Sequence, residues 1–296
     1  MNNTALATAT ATPTTQANSS LQVSVVVPTL NEERNLPAVF AALPLEAEVI
    51  VVDGGSVDRT VDVARELRPN AKIIQQTRKG KGNALACGFA AATGDVIVMI
   101  DADGSTDPNE IPRFIEAITD GADFAKGSRF RTGGHSDDIT PLRRLGNYGL
   151  NGLVNVLMGT SFTDMCYGYN AFRRDVLNDL DLPRLDLPAP ASGAKLWGDG
   201  FEIETLINMR VAAAGHKIAE VPSIEAPRQY GESNLNAVSD GLRVLRTIMT
   251  EFVGTRRKAR AAKKAATRAA MRTVRTTKHT HAWTAPRQTA CTEHAG

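Results

Sequence analysis

Four short runs of apolar or β-branched residues, at 23–27, 49–52, 72–74 and 96–100, alternate with stretches whose apolar residues fall at helical spacing. Such alternation restricts a chain to a mostly parallel sheet, because each parallel crossover needs an intervening helix to cover a sheet face. Leu36, Val39, Phe40 and Leu43 mark one helical face, with Pro37 in the first turn where its missing N–H costs nothing. Residues 83–92 and 111–118 supply two more helices, and the second half predicts helices at 142–158, 202–214 and 237–252 with a strand at 218–221. The stretch 131–140, rich in Gly, Asp and Ser, reads as a mobile loop, and 182–190 as a linker. A length of 296 residues with 42% hydrophobic content suits one substantial core. The expected class is α/β, Rossmann-like, with a central sheet flanked by helices in a single domain at 21–253.

The net charge of +2 conceals two unlike parts. After Val253 there are eleven Lys or Arg and one acid, Glu293; the preceding chain holds 23 bases and 31 acids. Residues 254–296 therefore form a basic tail, helix-capable at first, readable as a polyanion patch, a solubilising segment or an anchor to anionic lipid. No specific nucleic-acid partner is expected. Residues 1–20 are Thr, Ala, Asn and Ser without a basic start or an apolar centre, so they read as a disordered leader. No run approaches the roughly 18 apolar residues of a membrane span. Cys87, Cys166 and Cys291 stand far apart without a CxxC pair, which gives neither a disulfide framework nor a zinc site. The expected location is the cytoplasm, peripheral at most on the inner face of the cell membrane.

Chemistry concentrates where the fourth run ends, in Val96-Ile-Val-Met-Ile-Asp-Ala-Asp-Gly104. Alternate residues at a strand end point the same way, so Asp101 and Asp103 can converge on one ion. Ligand sites of open α/β sheets lie at that carboxyl edge. Two hard oxygen ligands with positions left free describe Mg²⁺ or Mn²⁺ shared with a substrate's phosphates. The first run ends in Pro28-Thr29-Leu30-Asn31-Glu32-Glu33 and the second in Asp53-Gly54-Gly55-Ser56, both at the same edge. A carboxylate there can accept from a base or a ribose; Asp53 and Ser56 equally suit a turn that caps the next helix. Gly80-Lys81-Gly82-Asn83 opens a helix beside Arg78-Lys79, a setting that favours an anion. It lacks P-loop spacing, and no GxGxxG follows the first strand.

These motifs, in this order and spacing, resemble the family 2 glycosyltransferases of the GT-A fold. The later Gly127-Ser128-Arg129-Phe130, Tyr167-Gly168-Tyr169-Asn170, Gly200-Phe201-Glu202-Ile203-Glu204 and Arg228-Gln229-Tyr230-Gly231-Glu232-Ser233-Asn234 resemble the dolichol-phosphate mannose synthase branch and its bacterial polyprenyl-phosphate relatives. The resemblance, over about 23–252, implies an inverting, metal-dependent transfer from a UDP- or GDP-linked sugar to a polyprenyl phosphate or a glycan. It implies that Pro28, Thr29, Glu32 and Asp53 hold the nucleoside, that Asp101 and Asp103 bind the metal, and that Arg228 clamps a phosphate. Lys81 and Ser233 join the substrate contacts, and Arg129 and Arg131 face the acceptor. A lipid phosphate needs no general base; a hydroxyl acceptor does, and Glu202 or Glu204 is the candidate, ahead of Asp164 and Asp199. Two departures stand out. Gly54 replaces a second Asp common in the family, and Ser105 stands where a Gln often follows the metal pair, leaving water or Asp107 to complete the ion.

Asp101-Ala-Asp-Gly-Ser-Thr106 also resembles the first motif of haloacid-dehalogenase phosphatases, with Asp101 as nucleophile. That family needs a later acidic pair after another apolar strand, and none is evident. A nucleotide- or lipid-binding scaffold without chemistry is the other reading; the intact acid pair and Arg228 argue against it.

Overall fold

The computed structural model describes residues 21–192, 194–231 and 237–279. The proposed leader at 1–20, Ser233 and the end of the tail at 280–296 lie outside the described residues. Seven strands form the central sheet in the order β3-β2-β1-β4-β7-β5-β8. They are β1 (Val23–Thr29), β2 (Glu48–Asp53), β3 (Lys72–Gln75), β4 (Val96–Met99), β5 (Phe124–Ser128), β7 (Asn170–Arg173) and β8 (Ile218–Pro222). All neighbours run parallel except β7, which is antiparallel to both β4 and β5. A small parallel pair, β6 (His135–Ser136) with β9 (Ile224–Glu225), crosses the stretch read as a mobile loop.

Each central strand sends alternate side chains to opposite faces. Val25, Val27, Val49, Val51, Val96 and Val98 pack with α1 (Leu36–Ala42), α2 (Thr60–Leu67) and α4 (Ile111–Thr119). Val26, Ile50, Val52, Ile97 and Met99 pack with α3 (Lys81–Ala91) and α6 (Ile203–Ala214). This doubly covered sheet explains why the strands read as unbroken apolar runs. A third cluster joins α5 (Pro141–Met158) and α7 (Ala237–His279) to α6 through Val154, Phe162, Met165, Met209 and Ile248. α7 continues as one helix across the expected domain boundary at Val253. No helix among the described residues is long and apolar enough to cross a membrane.

Sequence reading missed β5 and β7. Lys126 and Gly127 in one, and Asn170 and Arg173 in the other, hide strands of five and four residues. Lys126 is wholly buried, its ammonium donating to the carbonyls of Gly127 and Tyr167 at 2.8 Å each. Burial lowers its pKa to about 8, although Asp164 and Glu220 pull it upward.

Candidate active site

β1, β2 and β4 end side by side, and the chain bends at once after β4. Ala102 turns into the core while Asp101 and Asp103, on either side of it, stay partly exposed. Each carboxylate meets a cation from a distant part of the chain. Lys81 Nζ stands 2.6 Å from Asp101 Oδ1 and 2.6 Å from Glu204 Oε1. Arg228 Nη2 stands 2.8 Å from Asp103 Oδ2, and its Nη1 is 3.5 Å from Glu32 Oε1. Ser105 fixes the other side of Asp103, donating from its backbone N–H at 3.0 Å and its hydroxyl at 2.7 Å to Oδ1.

Burial alone would lower the Lys81 pKa, but Asp101 and Glu204 outweigh it and hold the ammonium well above its ordinary range. Burial raises Glu32, against the hydrogen bond from Asn35 and the charge of Arg228, while Asp103 and Asp101 repel it further. Arg228 arrives because its segment is tied to the bend: Ala226 N–H donates to Ser105 O at 2.9 Å, and Thr106 bridges Glu225. Gly168, at the approach to β7, closes the roof over the cluster. A Cβ there would lie 3.3 Å from Lys81 Nζ, 3.4 Å from Glu204 Oε1 and 3.6 Å from Asp101 Oδ2.

Four carboxylates, Glu32, Asp101, Asp103 and Glu204, thus face two cations. The deficit equals the charge of one divalent ion. Among the described residues no group of three or more His, Cys, Asp or Glu side chains is placed to enclose an ion. Two aspartates would leave a hard cation free positions for a ligand, so the donor set fits Mg²⁺ or Mn²⁺.

The glycines of the Gly80 motif have another cause than anion binding. A Cβ at Gly82 would stand 1.9 Å from Gly198 O, and at Gly80 2.0 Å from Asp199 O. The first N–H groups of α3 are also taken, Gly82 and Asn83 donating to Asp199 O at 3.0 and 3.3 Å. The helix start is a packing joint, and only Lys81 of that motif enters the cluster.

Other expected contacts are placed as follows. Thr29 binds the neighbouring strand end, its hydroxyl donating to Val52 O and its carbonyl accepting from Gly54 N–H at 2.8 Å; Pro28 lies beside Val52 in register. Asp53 is buried and accepts from Gly55 and Ser56 N–H, so its carboxylate builds its own turn. Glu202 likewise accepts from Gly198 and Gly200 N–H, and Glu204, two residues on, reaches the cluster instead. Asp107 accepts from Asn109 N–H at the start of a 3-10 turn.

Arg129, expected on the acceptor side, lies in an internal ion pair. Its guanidinium is buried, with Nε and Nη2 on Asp164 at 2.7 and 2.9 Å and Nη1 on Glu225 at 2.9 Å. The same pairing removes Asp164 as a proton acceptor, and Asp199 is held by Arg78 at 2.6 and 2.9 Å. Arg131 is half exposed, 3.8 Å from Glu220 Oε2.

Residues 24–181 match the family model for glycosyl transferase family 2. A dolichol-phosphate mannosyltransferase of Pyrococcus furiosus is 34% identical over 225 residues, which cover 73% of this chain and 59% of that one. An undecaprenyl-phosphate mannosyltransferase of Micrococcus luteus is 32% identical over 227 residues, covering 73% of this chain and 88% of the other. The fold is also similar to glucosyl-3-phosphoglycerate synthase of Mycobacterium tuberculosis, crystallised with Mn²⁺, uridine diphosphate and glucosyl-3-phosphoglycerate. That likeness has a TM-score of 0.58 and 23% identity, over 78% of this chain and 80% of the other.

Proposed function

The chain belongs to glycosyl transferase family 2 and is a glycosyltransferase; from that premise we propose that it moves a sugar from a nucleoside-diphosphate donor to a polyprenyl phosphate. The observation that carries this is the charge deficit at the Asp101–Asp103 bend, where four carboxylates meet two cations. Asp101 and Asp103 would hold a divalent ion, which when bound would supply Lewis-acid stabilisation of the leaving diphosphate. The solved fold relative binds Mn²⁺ with a nucleoside diphosphate, which supports the assignment.

The roles of the protein groups follow from their positions. Pro28, Thr29 and Glu32 form the nucleoside side of the edge, and Asp53 contributes by fixing the turn beside them. Lys81 and Arg228, resting on Asp101 and Asp103, are the donors nearest the diphosphate, and the planar fork of Arg228 suits two phosphate oxygens. Ser233, five residues after Arg228 in sequence, is assigned to the substrate contacts. A lipid phosphate presents an oxygen that is already anionic, so it displaces the diphosphate directly and inverts the anomeric carbon. Glu204 is engaged by Lys81 at 2.6 Å, so its carboxylate is not free to meet a hydroxyl; this favours a phosphate acceptor over a hydroxyl. The two polyprenyl-linked relatives support the same acceptor class, and the basic part of α7 supports a peripheral seat on an anionic membrane face.

The test is a donor screen read by nucleoside diphosphate release, with Mn²⁺ or Mg²⁺, with and without polyprenyl phosphate. Mannose-bearing GDP and UDP donors head the panel. Release that requires the lipid phosphate is the expected result; release that ignores it, or phosphate release from a generic monoester, overturns the proposal.

A further inference from the structure

Asn35 stands at the start of α1, beside the catalytic edge, and is only 2% exposed. Its side chain does not cap the helix. The amide nitrogen instead donates in two directions, to Glu32 Oε2 at 2.5 Å and to the carbonyl of Tyr230 at 3.3 Å. Both partners are acceptors, so the amide must turn its nitrogen toward them, and Oδ1 is left buried without a partner. A buried oxygen in that state costs stability. The asparagine is therefore kept for what its nitrogen holds.

What the nitrogen holds is the segment that carries Arg228. Residues 226–231 cross the sheet edge as a strap. At one end Ala226 N–H donates to Ser105 O at 2.9 Å, beside the Asp101–Asp103 bend. At the other, Tyr230 O meets Asn35, and the Arg34 guanidinium lies 4.0 Å from the centre of the Tyr230 ring. Arg228 sits between these ends, with Nη2 on Asp103 and Nη1 toward Glu32. Asn35 thus fixes both the carboxylate that one arm of the fork faces and the main chain two residues further on, while its own hydrogen bonds go to neither Arg228 nor Asp103. Its footing is firm. Asn35 and Leu36 N–H both donate to Glu32 O, at 3.0 and 3.1 Å, and the Leu36 side chain is wholly buried in the core.

We infer that Asn35 is a positioning residue for donor binding, setting the Arg228 fork at the sheet edge where the diphosphate is received. The inference rests on the nucleotide-sugar reading above, in which Arg228 meets the diphosphate, and adds the group that places the fork.

Calorimetric titration of the full-length protein with GDP and with UDP, each with Mn²⁺, tests it through a double-mutant cycle. Asn35→Leu, close in volume but without the donor, should weaken the tighter-binding nucleotide at least tenfold, with a urea midpoint near that of wild type. In an Arg228→Met background the same change should cost no more than threefold, because the fork it places is gone; any effect through Glu32 alone stays in both backgrounds. Asn35→Ser, a residue suited to a helix start, is the second variant and should show the same dependence. Equal losses in the two backgrounds, or no loss in the first, overturn the positioning role and leave the nucleotide-sugar reading in place. If neither nucleotide binds the wild type with Mn²⁺, that reading falls and the inference falls with it.

Discussion

The Lys81 ammonium occupies Asp101 Oδ1 at 2.6 Å, so a metal ion entering the site must take that carboxylate from a lysine. Competition of this kind has a measurable sign. In Lys81→Met the apparent Mn²⁺ affinity should rise, because the ion no longer displaces an internal cation, while turnover falls roughly tenfold or more as a phosphate contact is lost. Mn²⁺ titration followed by a donor-saturation curve checks both; weaker Mn²⁺ binding in the variant removes the competition.

Asp103 carries the complementary test. Asp103→Asn keeps the shape and the hydrogen bonds from Ser105 but gives up the charge that faces Arg228. Transfer should drop by about two orders of magnitude or more, with an unfolding midpoint close to wild type. Unchanged turnover would contradict the metal assignment.

Arg129 should behave as a structural residue. Breaking its buried fork with Arg129→Met leaves Asp164 and Glu225 uncompensated, and such losses cost about 3–5 kcal/mol. Urea denaturation reads this directly. Arg129→Lys should rescue little, since one ammonium nitrogen cannot stand in for the three guanidinium nitrogens that meet Asp164 and Glu225. A stable Arg129→Met protein with a raised acceptor KM would return Arg129 to the acceptor side.

Lys126 predicts a pH dependence. Its folded pKa, lowered to about 8, lies below the unfolded value, so between about 8 and 10.5 the unfolded chain binds the extra proton. This residue's contribution to stability therefore rises with pH through that window and is lost as pH falls through 8. Lys126→Met should flatten the difference between urea midpoints at pH 7 and pH 10; an unchanged difference sinks the assignment.

The basic stretch of α7 is testable on the full chain. Replacing Arg256, Arg257, Arg260, Lys263 and Lys264 by Gln should reduce flotation with anionic vesicles and leave neutral vesicles unaffected. Equal flotation of both proteins shows that charge in α7 does not attach the enzyme.

The first half of the fold was legible because its strands are apolar on both faces and its site residues lie just past their ends. That Asp101, Asp103 and Glu32 gather at one sheet edge could be read off that pattern. β5 and β7 could not, since a buried lysine and a buried asparagine break the apolar signal and only tertiary partners make them tolerable. The same limit explains the arginines. Arg129 looks like a ligand-binding residue in sequence, and nothing local reveals that Asp164 and Glu225 close around it from 35 and 96 residues away. Glu202 and Glu204 read alike in sequence, and only the fold separates them by bringing Lys81 to Glu204; the Gly80 motif reads as an anion cradle, whereas the backbone of residues 198–199 fills that space.

The antiparallel β7 has a consequence for how the chain is made. β4 gains its second neighbour only when residues 170–173 arrive, and β5 joins the sheet only through β7 and β8. A nascent chain that has emerged past β4 can pair its first four strands but presents β4 as a bare edge, with Asp103 still without Arg228. Unprotected edges of this kind recruit other strands. Until residues 170–173 emerge, the growing chain therefore carries an open, strand-recruiting edge at β4.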